Sequence, residues 1–134
     1  MNCNELIKLF GKVQNHAVKF LIDSSATHNF IDPKLVKKLN LPIQRLEGKV
    51  TLANGNDQEV TGITHGVPYQ IGLIFDCTSC SVTQMTLLDE IILGKPWLVK
   101  ANPKINWRQN TVTLRKNGRV LQFKQIEEES WHST

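Results

Sequence analysis

Phe20-Leu21-Ile22 runs directly into Asp23, and the carboxylate is followed at once by Ser24, Ser25, Ala26, Thr27 and His28. An apolar strand that ends on an aspartate and turns through small hydroxyl residues sets a carboxylate at the floor of a cleft. Amides and hydroxyls of the turn are then placed to hydrogen-bond it. The chemistry open to such a group is proton transfer to and from water or a carbonyl. His28 and Asn29 read as structural or cleft-lining, because no further His, Cys or carboxylate is spaced to complete a metal site or a nucleophilic triad. Cys77-Thr78-Ser79-Cys80 has zinc-knuckle spacing, yet no second Cys or His pair follows it. With Cys3 the cysteines number three, which gives no disulfide framework, and reduced thiols are expected.

The elements that must carry this turn are mostly short strands. Leu6–Phe10 and Ala17–Ile22 are apolar runs separated by Gly11 and Gln14-Asn15-His16, a hairpin whose second strand delivers Asp23. Asp32-Pro33 opens a helix, with Asp32 as N-cap and Leu35, Val36 and Leu39 on one face; Asn40 and Pro42 close it. Lys49–Ala53 and Gln58–Ile63 flank an Asn54-Gly55 turn, a second and polar-tipped hairpin. Tyr69–Phe75, interrupted by Gly72, and Ser81–Leu88 read as further strands. Ile91-Ile92-Leu93 is a buried strand, and Gly94-Lys95-Pro96-Trp97 leads into a short helix. Ile105–Trp107, Thr111–Leu114 and Val120–Phe123 alternate apolar and polar residues, the last after an Asn117-Gly118 turn. Many short strands with one or two short helices argue an all-β, barrel-like domain.

A chain of 134 residues holds one such domain, expected over residues 1–124, with an acidic and then small polar tail over 125–134. With 40% hydrophobic and 21% charged residues the composition is globular, and no apolar run is long enough for a membrane helix. Met1-Asn2-Cys3-Asn4-Glu5 has no basic or apolar signal region, so an intracellular, cytoplasmic location is expected. The net charge of +4 is mildly basic. Lys34, Lys37 and Lys38 on one helix and Lys95, Lys100 and Lys104 elsewhere read as dispersed, solvated cations rather than a nucleic-acid footprint.

The Asp23 turn closely resembles the Asp-Ser/Thr-Gly-Ala loop of retropepsins, above all the Leu-Ile-Asp-Ser-Gly-Ala-Thr-His-Asn-Phe-Ile form of gypsy-type LTR retrotransposon proteases. The likeness covers roughly residues 6 to 124 and has three further pieces in family order. Val50-Thr51-Leu52-Ala53-Asn54-Gly55 is similar to the flap hairpin, Ile91-Ile92-Leu93-Gly94-Lys95-Pro96-Trp97-Leu98 to the second signature, and Asn102-Pro103-Lys104-Ile105-Asn106-Trp107 to the stretch after it. The resemblance implies a closed retropepsin-like barrel and an aspartic endopeptidase. It implies Asp23 as the catalytic residue, Ser24, Ser25, Ala26, Thr27 and His28 as the active-site loop and substrate lining, and Ala53, Asn54, Gly55 and Asn56 as the flap. Ser24 would supply the hydroxyl bonded across a dimer beneath the site.

This chemistry needs two carboxylates that share one proton. One chain offers one such loop, so the expected enzyme is a homodimer with Asp23 of each copy meeting on the two-fold axis, working best under mildly acidic conditions. Water is the nucleophile, and neither a metal nor an organic cofactor is called for. The implied substrates are Gag and Pol polypeptides, within a virus-like particle if the element is active. Ser25 stands where the family has Gly, and a Cβ there strains the loop if φ is positive. The alternative is therefore a silent retropepsin-like dimerisation or peptide-binding module.

Overall fold

The computed structural model describes residues 6–46, 49–51, 57–85 and 91–126. In chain order its strands are β1 (Leu6–Val13), β2 (His16–Asp23), β3 (Phe30–Ile31), β4 (Gln44–Arg45), β5 (Lys49–Thr51), β6 (Asp57–Glu59), β7 (Gly62–Ile71), β8 (Ile74–Val82), β9 (Ile91–Leu93), β10 (Lys104–Asn106), β11 (Thr111–Lys116) and β12 (Arg119–Lys124). Helix α1 (Pro33–Lys38) follows β3, and α2 (Lys95–Ala101) follows β9.

β1 and β2 pair antiparallel from Leu6 opposite Asp23 to Val13 opposite His16. Gln14 and Asn15 turn the chain at φ 52° and 67°, as a two-residue hairpin loop requires. β2 is buried on both faces from Val18 to Ile22, which explains why that stretch is apolar at every position but the buried Lys19. It lies parallel to β9, which pairs antiparallel with β3; β3 is parallel to β8, and β8 is antiparallel to β7. β7 returns to β1 at Gln70 opposite Lys12, so six strands close into a barrel, and β4 is added at the edge of β7. The core inside it includes Ile7, Leu9, Phe20, Ile22, Ile31, Val67, Tyr69, Val82, Leu93 and Trp97. The Trp97 indole N–H donates to the Tyr69 hydroxyl at 2.8 Å, so the two most polar aromatic groups of the core satisfy each other. Burial pushes the Tyr69 hydroxyl above its ordinary pKa, an effect this hydrogen bond partly offsets.

Both expected helices are present. Asp32 caps α1, accepting from the Lys34 N–H at 2.8 Å, and Leu35, Val36 and Leu39 are buried beneath it. Asn102, at φ 45° and ψ 55°, ends α2 in the left-handed conformation and donates to the Leu98 carbonyl.

Several expectations need correction. Ser81–Leu88 is not a strand throughout: β8 ends at Val82, Thr83, Gln84 and Met85 follow outside any strand, and 86–88 lie outside the described residues. Tyr69–Phe75 is not one strand: β7 ends at Ile71 and β8 begins at Ile74, with Gly72 at φ +59° in the turn between them. Gln58–Ile63 is likewise divided, because Thr61 leaves β6 to donate its N–H to the Val82 carbonyl at 2.9 Å. The cations are also not dispersed. Residues 91–126 hold eight of the 16 Lys and Arg and no Asp or Glu, leaving eight cations against 12 acids in the rest of the chain.

That basic segment forms α2 and a separate sheet, β10-β11-β12, whose Val112 and Leu114 are buried against the barrel core. Lys116 Nζ donates to Asp76 Oδ2 at 2.8 Å, and Lys100 Nζ lies 3.7 Å from Asp76 Oδ1. The Lys116 hydrogen bond, more than any other contact, holds the Asp76 carboxyl below its ordinary pKa. Past β12, Gln125 N–H donates to the Asn110 carbonyl and Ile126 N–H to the Lys8 carbonyl, tying this end of the chain to β1. β5 and β6 pair from Lys49 opposite Glu59 to Thr51 opposite Asp57. The flap residues Ala53, Asn54, Gly55 and Asn56, between those two strands, lie outside the described residues, as do Cys3 and 127–134. Cys80 is buried, which pushes its thiol up to about 12, and Cys77 is exposed; both are free thiols.

Candidate active site

Asp23 is the last residue of β2, half-buried where the barrel wall ends. Its Oδ1 accepts the Ser25 N–H at 2.9 Å and the Ser25 hydroxyl at 2.6 Å. Its main-chain carbonyl accepts the Ala26 N–H at 3.2 Å, so the turn closes on itself. Among the described residues Oδ2 takes no hydrogen bond. One oxygen is thus held in place and the other is presented for chemistry. Ser25 is not among the residues with positive φ, so its side chain fits the turn without the left-handed penalty that replacing a glycine often carries.

The loop is fastened to the barrel at its far end. Lys95 N–H, at the start of α2, donates to the Ala26 carbonyl at 2.8 Å. Gly94 sits so close that a Cβ on it would meet the His28 carbonyl and lie 2.7 Å from the Ala26 carbonyl oxygen. Its φ of −104° is ordinary, so the requirement for glycine here is one of space. Asn29, 3% exposed, joins three elements: its Nδ2 donates to Thr78 Oγ1 at 2.9 Å and to the Ser79 carbonyl at 3.1 Å, while its Oδ1 accepts the Gly94 N–H at 2.8 Å. Every polar group of this buried amide that reaches these strands is therefore satisfied.

The structure brings Asp23, Ser24, Ser25, Ala26, Thr27 and His28 into one loop. Ser24, Ser25 and Thr27 face solvent, and Ala26 and His28 are half-buried. Thr27 Oγ1 and His28 Nδ1 are 2.8 Å apart in a hydrogen bond, and the His28 ring leans on Phe30 at 5.9 Å between centroids. The clamp by Asn29 and Gly94 was missed as such. It joins positions 65 residues apart, and its one sequence signal is a polar residue placed just before a buried Phe30-Ile31 pair.

Asp32 offers no second catalytic carboxylate within the chain. Its Oδ1 accepts from Lys34 N–H and its Oδ2 from Met85 N–H at 3.2 Å, so both oxygens are used in holding backbone. Asp76 is likewise committed to Lys116 and Lys100.

This chain resembles known proteins in both fold and sequence. The solved structure of the retroviral protease-like domain of Ddi1 from Leishmania major matches it with a TM-score of 0.70 and 17% identity, covering 92% of this chain and 95% of that one. The fold is therefore that of a retroviral protease-like domain. No curated protein sequence matches. Residues 19–120, which run from the strand before Asp23 to the last sheet, match the PEG10/RTL1 protease domain. A barrel of this fold, with a carboxylate presented on its loop and a sequence match over most of its length, places the chain in the PEG10/RTL1 protease domain family.

Proposed function

We propose that the chain is an aspartic endopeptidase whose catalytic pair is formed by Asp23 of two copies. The observation that carries this reading is the Asp23 carboxylate itself, with Oδ1 fixed by two donors of Ser25 and Oδ2 open. In the pair, the ionised carboxylate takes a proton from water while the protonated one donates to the scissile carbonyl, and the roles reverse as the amine leaves. The fixed Oδ1 keeps each carboxylate in one plane, so that the open oxygens converge on the same water. Among the described residues Asp32 and Asp76 are committed to other contacts, which supports a second copy as the source of the partner carboxylate. The exposed Ser24, Ser25 and Thr27 lie on the surface through which two loops would meet. The substrates are extended polypeptides, with Gag and Pol segments of a retrotransposon-type polyprotein the class that the gypsy-type motifs suggest.

One observation favours the silent-module reading. The Ser25 hydroxyl sits on Asp23 Oδ1, where a glycine leaves that lone pair open to a shared proton. The test is cleavage of a denatured Gag-like polypeptide at mildly acidic pH by the chain, by Asp23→Asn and by Ser25→Gly. Activity in the chain and in Ser25→Gly, with none in Asp23→Asn, supports the enzyme. Activity in Ser25→Gly alone assigns the chain as a silent module, and activity that survives Asp23→Asn refutes the site.

A further inference from the structure

We infer that the outer face of the β10-β11-β12 sheet is a docking surface for a nucleic-acid strand, held through its phosphates. The strand register defines the face. Lys104, Thr113 and Gln122 form one cross-strand row, Asn106, Thr111 and Lys124 the next, and Arg115 pairs with Val120 beyond them. The opposite face carries Ile105, Val112, Leu114, Leu121 and Phe123, all packed on the core. The outward rows are thus left to cations and neutral hydrogen-bonding side chains. Arg108, in the turn between β10 and β11, extends the cationic surface at one end, while Arg119, paired with Lys116, falls in the rows of the opposite face at its edge.

Among the described residues the one carboxylate in reach of this segment's cations is that of Asp76. Lys100 and Lys116 share that single carboxylate, which offsets one of their two charges. Lys104, Arg108, Arg115, Arg119 and Lys124 are exposed, and among the described residues none of them has an ion-pair partner. No Asp or Glu occurs anywhere in residues 91–126 to offset them. A field of one sign on one face attracts a polyanion and releases its counterions on contact.

The chemistry of the face selects a phosphate backbone over an acidic peptide. A peptide partner needs buried anchors, and Val120 is the single apolar side chain on this face. A phosphate backbone needs only spaced cations with donors between them, and Asn106, Thr111, Thr113 and Gln122 supply those. Same-face positions recur about every 7 Å along a strand, a spacing that an extended strand of nucleotides can follow. With no aromatic ring in these rows to stack on a base, binding is expected to ignore sequence.

The full chain is titrated with a fluorescent single-stranded oligonucleotide of about 20 nucleotides, at salt concentrations from about 50 to 200 mM. Micromolar binding at the low end is expected, with log K falling at about 0.7 per phosphate contact against log salt. Lys104→Gln/Arg115→Gln/Lys124→Gln is expected to weaken binding at least tenfold and to flatten that slope by about two. Lys34→Gln/Lys37→Gln/Lys38→Gln on α1 removes the same charge from a different surface and is expected to change affinity less than about threefold. All six side chains are exposed, and cooperative melting of both variants confirms that each is folded. Equal losses in the two triples, no binding at the lowest salt, or displacement by polyglutamate as readily as by unlabelled oligonucleotide would each overturn the assignment.

Discussion

Asp23 and Asp32 begin from the same local arrangement and end with different roles. Each ends a short apolar run, and each accepts on Oδ1 the N–H of the residue two positions on, Ser25 at 2.9 Å and Lys34 at 2.8 Å. After Asp32 the chain continues into α1, and Met85 N–H, 53 residues away, takes up Oδ2. After Asp23 the chain turns through Ser24-Ser25-Ala26 into an open loop, and Oδ2 is left without a partner among the described residues. A carboxylate whose oxygens are both consumed by backbone stabilises a fold. A carboxylate held by one oxygen is both positioned and available, which is what proton transfer needs.

The sharpest way to break this comparison is to neutralise each carboxylate in turn. Asp23→Asn should abolish peptidase activity, by on the order of a thousandfold or more, with little change in melting temperature. Asp32→Ala should do the reverse, costing about 1 kcal/mol of stability and leaving activity per folded molecule intact. Chemical denaturation alongside a peptide-cleavage assay separates the two.

The loop's fastening offers the next test. Gly94→Ala forces a Cβ against the His28 and Ala26 carbonyls, and about 3 kcal/mol of destabilisation with loss of activity is expected from such overpacking. Asn29→Ala strands the Gly94 N–H and the Thr78 hydroxyl, at a cost of about 2 kcal/mol seen in urea unfolding. If either variant keeps full stability and activity, the loop is not held from β9 and α2.

The smallest effect is expected far from the loop, at Asp76. Its folded pKa is depressed, so the stability it contributes is present above the ordinary aspartate range and is lost as pH falls through the lower folded value. Asp76→Asn should therefore lower stability at neutral pH by roughly 0.5 kcal/mol, and the gap from the parent chain should close in strong acid. Thermal melts from neutral to strongly acidic pH check the sign.

Much of the loop was legible because its signals are local. Strand, aspartate and small hydroxyl residues lie side by side, and Asp32-Pro33 and Asn117-Gly118 mark a cap and a turn through their own backbone preferences. Gly72 was misread because Tyr69-Gln70-Ile71 and Leu73-Ile74-Phe75 are β-prone on both sides, which hides a turn inside what looks like one strand. The Asn29 clamp and the Met85 bond to Asp32 were not legible, since each joins residues that only the closed barrel makes neighbours. The absence of acids in 91–126 is a compositional signal of the cationic sheet, but the cations read as dispersed because most of them are spaced singly along the segment. The register that puts Lys104, Arg115 and Lys124 on one face was not legible.

The central claim is that one active site uses Asp23 from two copies, and subunit mixing tests it most directly. A fixed amount of the active chain is equilibrated with increasing Asp23→Asn chain, and cleavage is followed. A shared site predicts that activity falls to roughly half at equal amounts and to about one-tenth at ninefold excess, as mixed dimers take up the active chains. Activity that stays constant whatever the excess of Asp23→Asn would contradict the account and place the whole catalytic apparatus within one chain.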